Sequence, residues 1–272
     1  MATNTKLKIS AREMKKTEEL NELLEEWEAH ISKKEKVNNG HRENWATEKC
    51  FAGDGFFPGY FSTKGKKILF IARETRSLGD CGINFVDSSI DYFKNAHNQD
   101  IKNRLTNANS FWRHILKIVS GIQNDGIPFR EIKSSVEIAD SMLEQNNFGF
   151  TVINISKYSN DSKKKWQLNT KLANQFLKDS DLQETHFFKR ELEILEPDII
   201  IAGNLWNAGF EDEYLELCLP RPNKYKTKNF IEYWDYILDN KKTVKVINTY
   251  HFSARKNDKD CFYNPIRRIL FE

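Results

Sequence analysis

Lys67-Ile68-Leu69-Phe70-Ile71-Ala72 decides the fold. The run is continuously apolar after its lysine, the signature of a parallel strand covered on both faces. Three further segments read the same way: Phe150-Thr151-Val152-Ile153-Asn154-Ile155, Asp198-Ile199-Ile200-Ile201-Ala202-Gly203 and Val244-Lys245-Val246-Ile247-Asn248. Helical periodicity falls between and after them, over 111–121, 132–145, 184–195, 229–239 and 263–271. Strands alternating with helices imply a parallel sheet with helices on both faces. The expected fold class is therefore α/β, a three-layer αβα arrangement around a central four-stranded parallel sheet.

Outward from this core, residues 11 to 31 form an amphipathic helix on the spacing of Leu20, Leu23, Leu24, Trp27 and Ile31. Residues 1–50 are expected to be a helical extension packing on the core, and residues 51–272 the main domain. The stretch from Phe51 to Tyr60 is a Gly- and Pro-punctuated aromatic loop. The 272 residues, 39% hydrophobic and 12% aromatic, can build a sizeable core, so a charged fraction of 30% describes the surface and not disorder. A net charge of +3 says little until its clustering is considered.

The four cysteines, Cys50, Cys81, Cys218 and Cys261, include no C-x-x-C pair, so neither a metal nor an iron–sulfur cofactor is expected. They read as reduced thiols of a cytoplasmic protein. A polar, charged N-terminus lacks a signal peptide, and no apolar run reaches membrane-spanning length. Neither a G-x-G-x-x-G turn nor a P-loop follows any strand, which removes the usual support for a nucleotide-processing enzyme on such a sheet.

The carboxyl ends of parallel strands lie on one edge of the sheet, where open α/β folds bind ligands. Here the first end supplies Arg73-Glu74-Thr75-Arg76, the second Asn154 followed by Lys157 and Asn160, the third Gly203-Asn204, and the fourth His251 and Ser253. Taken singly, each has an ordinary structural use: an ion pair, a turn cap, a packed histidine. Together they place an acid, an amide, a histidine and several cations around one cleft. Two basic clusters flank it, Lys163, Lys164, Lys165 and Lys171 with Trp166, and Arg255, Lys256 and Lys259. A third holds Arg221, Lys224, Lys226 and Lys228 with Tyr225. Cations interleaved with aromatics suit phosphate contact and base stacking, against the ordinary reading of lysine-rich stretches as solvated loops.

In this order and spacing the residues resemble the uracil-DNA glycosylase superfamily across roughly residues 51–271. Ile68 to Glu74 is similar to its first motif, a strand running into a loop with the water-activating acid. Asn154-Ile155-Ser156-Lys157 resembles the motif whose Asn reads the base. Leu195 to Gly203 resembles the helix–Pro–strand–Gly segment. His251-Phe252-Ser253 resembles the His-Pro-Ser motif that contacts the leaving base. The resemblance implies a uracil-DNA glycosylase-like domain acting as a monomer without an obligatory protein partner, and a monofunctional DNA glycosylase that flips a nucleotide out of the helix to reach it. It also implies roles. Glu74 and His251 become catalytic. Asn154, Arg76, Phe85, Phe57 and Ser253 contact the substrate, with an aromatic from Phe56, Phe57, Tyr60 or Phe85 stacking on the base. Lys157, Lys163, Lys164, Lys165, Arg255 and Lys256 hold the DNA.

The departures from the family pattern bear on the substrate. Ala72 and Thr75 stand where the first motif carries Gly and Pro, and Phe252 replaces Pro in the last. Glu74 is a longer analogue of the family's aspartate. Where a Tyr blocks C5-substituted pyrimidines, this chain has Arg76, which leaves room at C5. Besides uracil, the resemblance therefore implies a bulky C5-modified cytosine, such as the glucosylated hydroxymethylcytosine that antiviral glycosylases of this fold remove from phage DNA. The alternative is a non-catalytic nucleic-acid-binding module on the same fold.

Overall fold

The computed structural model describes residues 10–37, 51–75, 85–95, 109–158, 168–182, 184–228 and 231–272. Arg76, Asn160, Lys163, Lys164, Lys165 and Trp166 lie outside them, as do Cys50 and Cys81.

Helix α1 spans Ala11–Val37, strand β1 Ile68–Glu74 and helix α2 Phe85–Asn95. Next come α3 at Ser110–Gln123, α4 at Ser135–Gln145, β2 at Phe150–Ser156, α5 at Thr170–Asp179 and α6 at Phe187–Leu195. They are followed by β3 at Ile199–Gly203, α7 at Asp212–Cys218, β4 at Lys226–Lys228, β5 at Ile231–Ile237 and β6 at Thr243–Thr249. A π-helical turn, Asp258–Tyr263, leads into α8 at Asn264–Phe271.

The chain forms an α/β fold with a six-stranded sheet in the order β2-β1-β3-β6-β5-β4. The four apolar runs are its four parallel strands. The sheet is larger than the four strands expected because β5 and β4 extend it in antiparallel pairing. Within the region 229–239, read as a helix, Ile231–Ile237 is instead strand β5. Its Ile231, Trp234 and Tyr236 are buried, and it folds back from β6 through a tight turn in which Lys241 adopts a left-handed φ of 70°. β-branched and aromatic side chains across the strand pair outweigh the weak helical spacing.

Helices cover both faces. On one, α1, α5, α6 and α7 pack Leu20, Trp27, Phe176, Phe188 and Leu215 against Leu69, Ile71, Ile153 and Val246. On the other, α2, α3, α4 and α8 pack Phe93, Trp112, Ile138 and Ile266 against Phe70, Val152, Ile201 and Ile247. The N-terminal helix is bound into the first face: the Trp27 indole N–H donates to Ser180 Oγ at 2.8 Å, and Gly59 N–H donates to Glu13 at 2.9 Å. Helix ends follow local chemistry. Ser134 and Glu137 form a reciprocal capping box for α4. Helix α6 stops where Glu196 turns left-handed before Pro197.

Gly203 ends β3 where a larger residue fits only if its neighbours give way. A Cβ there would lie 3.1 Å from the Phe252 ring and 3.3 Å from the Ile71 carbonyl oxygen. Phe252 is wholly buried and packs edge-on to Phe70 and Phe111. Gly203→Ala should overpack this contact and cost about 1–3 kcal/mol, read as a lower urea midpoint with an unchanged m-value. An unchanged midpoint would show that the loop after β6 yields freely.

Candidate active site at the carboxyl edge of the sheet

Register fixes which residues meet at the carboxyl edge. Glu74 is the partner of Ser156, Ala72 of Asn154, and Gly203 of Thr249. Side chains alternate along each strand. Glu74, Asn154, Ser156 and Thr249 therefore share the face that carries Phe70, Val152 and Ile247. Ala72 and Gly203 are the small residues of this face, and the Phe252 ring covers Gly203. Thr75 Oγ1, Ser156 Oγ and Thr249 Oγ1 are buried and lack a hydrogen-bond partner among the described residues. Buried hydroxyls are ordinarily satisfied, so these three, at the ends of β1, β2 and β6, mark an edge suited to a polar ligand.

His251 follows β6 in a short turn closed by Ala254 N–H donating to the His251 carbonyl at 2.8 Å. Its Nδ1 accepts from Ser253 N–H at 3.3 Å. An accepting Nδ1 places the proton of a neutral imidazole on Nε2. Helix α3 clamps the loop. Ser110 Oγ donates to the Ser253 carbonyl at 3.0 Å, and His114 Nδ1 donates to the Phe252 carbonyl at 2.6 Å. His114 Nε2 in turn lies 3.0 Å from Asp258, which also pairs with Arg113 and Lys117. Burial alone would raise the Asp258 carboxyl. The hydrogen bonds from His114 and Lys117 and the charge of Arg113 instead hold it well below the usual carboxylate range.

A second anchor lies under β2. Asp54, wholly buried, accepts from Asn154 N–H at 2.8 Å and from Asn154 Nδ2 at 3.2 Å. It also accepts from the Lys157 ammonium, which donates to Glu191 at 2.7 Å and to the Asn154 carbonyl at 2.9 Å. Lys157 is wholly buried, with its ammonium 5.0 Å from the Trp27 ring centroid and 5.5 Å from that of Phe188. Desolvation pulls its pKa down, but the carboxylates of Asp54 and Glu191 outweigh that and raise it. Burial, reinforced by Asp54, pushes the Glu191 carboxyl up to about 7 against the pull of Lys157. The same loop ties in the next wall of the site: Phe85 N–H donates to the Gly53 carbonyl, and Thr151 Oγ1 to that of Gly55.

Two expected contacts are corrected by burial. Lys157 does not reach phosphate, because its ammonium is enclosed with its two carboxylate partners under the sheet. Phe57 does not face a base, because it is enclosed by Phe93, Trp112, Phe148 and Phe150. Tyr60 is buried likewise, and Phe56 packs edge-on to Phe61. Phe85 remains at the edge, half-buried and stacked on Trp112. Ser253, Arg255 and Lys256 are exposed beside His251, with the Lys256 ammonium 5.2 Å over the Tyr250 ring. At the outer end, Arg221 lies 4.7 Å over Tyr225, and Glu232 accepts from Asn248.

Sequence reasoning passed over Asp54, His114, Glu191 and Asp258. The only available signal was Asp54 set between two glycines, which excludes bulk on either side of a carboxylate. Among the described residues, no group of three His, Cys, Asp or Glu side chains is placed to hold a metal, and no helix is long and apolar enough to cross a membrane. A cavity of about 520 Å³ opens at the opposite, amino-terminal edge, between Lys66, Gln123, Asp198, Lys245 and Phe271. Two ion pairs lie there, Lys242 with Asp198 at 2.6 Å and Lys245 with Asp235 at 2.5 Å. No protein-family model matches the chain, and no curated protein matches it.

Because the native Glu191 carboxyl holds its proton up to about pH 7 while the unfolded group releases it near 4.5, the native state carries the extra proton in between. Stability should therefore fall as pH rises from about 5 to about 7. In Glu191→Gln that contribution disappears, so its melting temperature should vary less than that of the wild type over the same interval. Parallel curves would place the Glu191 proton elsewhere.

Proposed function

We propose that the chain is a divergent member of the uracil-DNA glycosylase superfamily, a monofunctional, monomeric cytoplasmic DNA glycosylase. It hydrolyses the N-glycosidic bond of a flipped-out uracil or modified pyrimidine and leaves an abasic site. The observation that carries this reading is the shared face of Glu74 and Asn154 at the carboxyl edge, with His251 in the turn that follows β6.

The chemistry asks for stabilisation at two places. As the C1′–N bond breaks, the sugar gains oxocarbenium character and the base departs with negative charge. Glu74 stands for the first, stabilising the cation and taking a proton from the attacking water. His251 serves the second. With Nδ1 accepting from Ser253, its Nε2–H donates to the developing anion on O2 of the base without the ring having to be cationic. Asn154 reads the base at N3 and position 4. Phe85 supplies the stacking face, its far side backed by Trp112. The exposed Ser253, Arg255 and Lys256 hold backbone phosphates and the space left by the extruded nucleotide, and Lys163, Lys164 and Lys165 contribute positive charge for DNA binding. At Arg76, where family members close the pocket with Tyr, the reading admits a bulky C5 group, including a glucosylated hydroxymethylcytosine of phage DNA.

Scoring abasic sites in uracil-containing duplex and in glucosylated phage DNA tests the reading and separates its two substrates. Release of one base is expected. Glu74→Gln should slow it about 10²–10⁴-fold and His251→Ala about 10²–10³-fold, with DNA affinity retained in both. DNA binding without release of either base would instead leave a nucleic-acid-binding module.

A further inference from the structure

Asp54 does more than neutralise Lys157. Its carboxylate meets Asn154 twice, Oδ2 accepting from the backbone N–H at 2.8 Å and Oδ1 from the side-chain amide nitrogen at 3.2 Å. A carboxylate has no proton to give, so only the nitrogen end of the Asn154 amide can face it. The two ends of an amide are otherwise nearly equivalent in shape. Here the donor end is held toward Asp54 and the acceptor oxygen is turned away from it. The Asn154 carbonyl is held as well, by the Lys157 ammonium at 2.9 Å, and Lys157 is rooted on α6 through Glu191. All four residues are almost wholly enclosed. The amide therefore sits in a frame with no soft element.

We propose that Asp54 is a positioning residue that fixes the hydrogen-bonding edge Asn154 presents, and so sets which pyrimidine the site accepts. The proposal rests on the reading of Asn154 as the base-contacting residue. Uracil and cytosine, with their 5-hydroxymethyl forms, differ only at N3 and position 4, where donor and acceptor are exchanged. An amide free to turn over serves either pattern. An amide held by a carboxylate offers one arrangement, and a base of the other pattern leaves a buried group unpaired.

Asp54→Asn is the informative variant. It keeps the shape of residue 54, and it leaves Lys157 paired with Glu191, so one buried positive charge still faces one negative. It removes the negative charge of residue 54 and, with it, the rule that residue 54 must accept, because its own amide can present oxygen or nitrogen to Asn154.

The test uses the full-length protein and two pairs of duplexes, uracil against cytosine and 5-hydroxymethyluracil against 5-hydroxymethylcytosine. Discrimination within each pair is read as base release and, separately, as relative affinity. In the wild type a scalar coupling across the hydrogen bond should connect Asn154 Nδ2 to the Asp54 carboxylate carbon. In Asp54→Asn, with its melting curve confirming the fold, discrimination should fall about 10–100-fold, the scale of one buried hydrogen bond left unmade. A wild-type spectrum without the coupling overturns the proposal, whether or not the variant folds. So does a folded variant that discriminates as the wild type does. If the wild type releases no base but the variant loses its preference in affinity, the glycosylase reading fails while the positioning role stands. If neither release nor affinity distinguishes the members of a pair, the positioning role fails, and the glycosylase reading fails with it only when no base is released from these duplexes or from glucosylated phage DNA.

Discussion

The structure turns on one buried charge. Lys157 carries its ammonium into the face of the sheet covered by α1 and α6, and Asp54 and Glu191 make that position tolerable. Taking a cation out of water costs several kcal/mol before any partner is counted. The three groups must therefore stay together, and they come from three places: the loop ahead of β1, the end of β2, and the middle of α6. Their grouping fixes where residues 53–55 run. Those residues then hold Asn154 through Asp54, Thr151 through Gly55 and the start of α2 through Gly53. The rings of Trp27 and Phe188 beside the ammonium bring α1 and α6 into the same arrangement.

The far side of the site hangs on a second polar cluster built on different lines. Asp258 is partly open to solvent and gathers Arg113, His114 and Lys117 from one helix. His114 relays that hold to the carbonyl of Phe252. Phe252, seated over Gly203, anchors the turn from below while His114 anchors it from the side. A proline at 252 would give the turn rigidity through a fixed φ. This chain obtains it from a buried aromatic ring and two side-chain hydrogen bonds from α3. Residue 252 is thus held by packing, and His251 is held with it.

Much of the fold was legible because parallel strands buried on both faces leave continuous apolar runs, and all four runs became parallel strands in register. Strand β5 was not. Ile231-Glu232-Tyr233-Trp234-Asp235-Tyr236 fits either period over so short a length, and only pairing with β6 selects one. At the site, the strand-end rule located Glu74, Asn154 and His251 on one edge. It failed for Lys157, since a lysine after a strand reads as a surface cation unless its partners are known. Those partners lie 103 and 34 residues away in sequence. Phe57 failed for a related reason: an aromatic in a Gly- and Pro-rich loop looks available, yet four other rings close over it. Long-range polar pairing and ring packing leave no periodic trace, which is why Asp54, His114, Glu191 and Asp258 were passed over.

The central claim is that a nucleotide enters the carboxyl edge between Asn154 and His251, and a crystal structure with duplex DNA carrying a cationic abasic-sugar analogue tests it most directly. The expected result is the analogue's cation beside the Glu74 carboxylate, with the turn at Ser253 against the flanking phosphates. DNA lying instead across the amino-terminal edge, over Lys66 and Lys245, would contradict it.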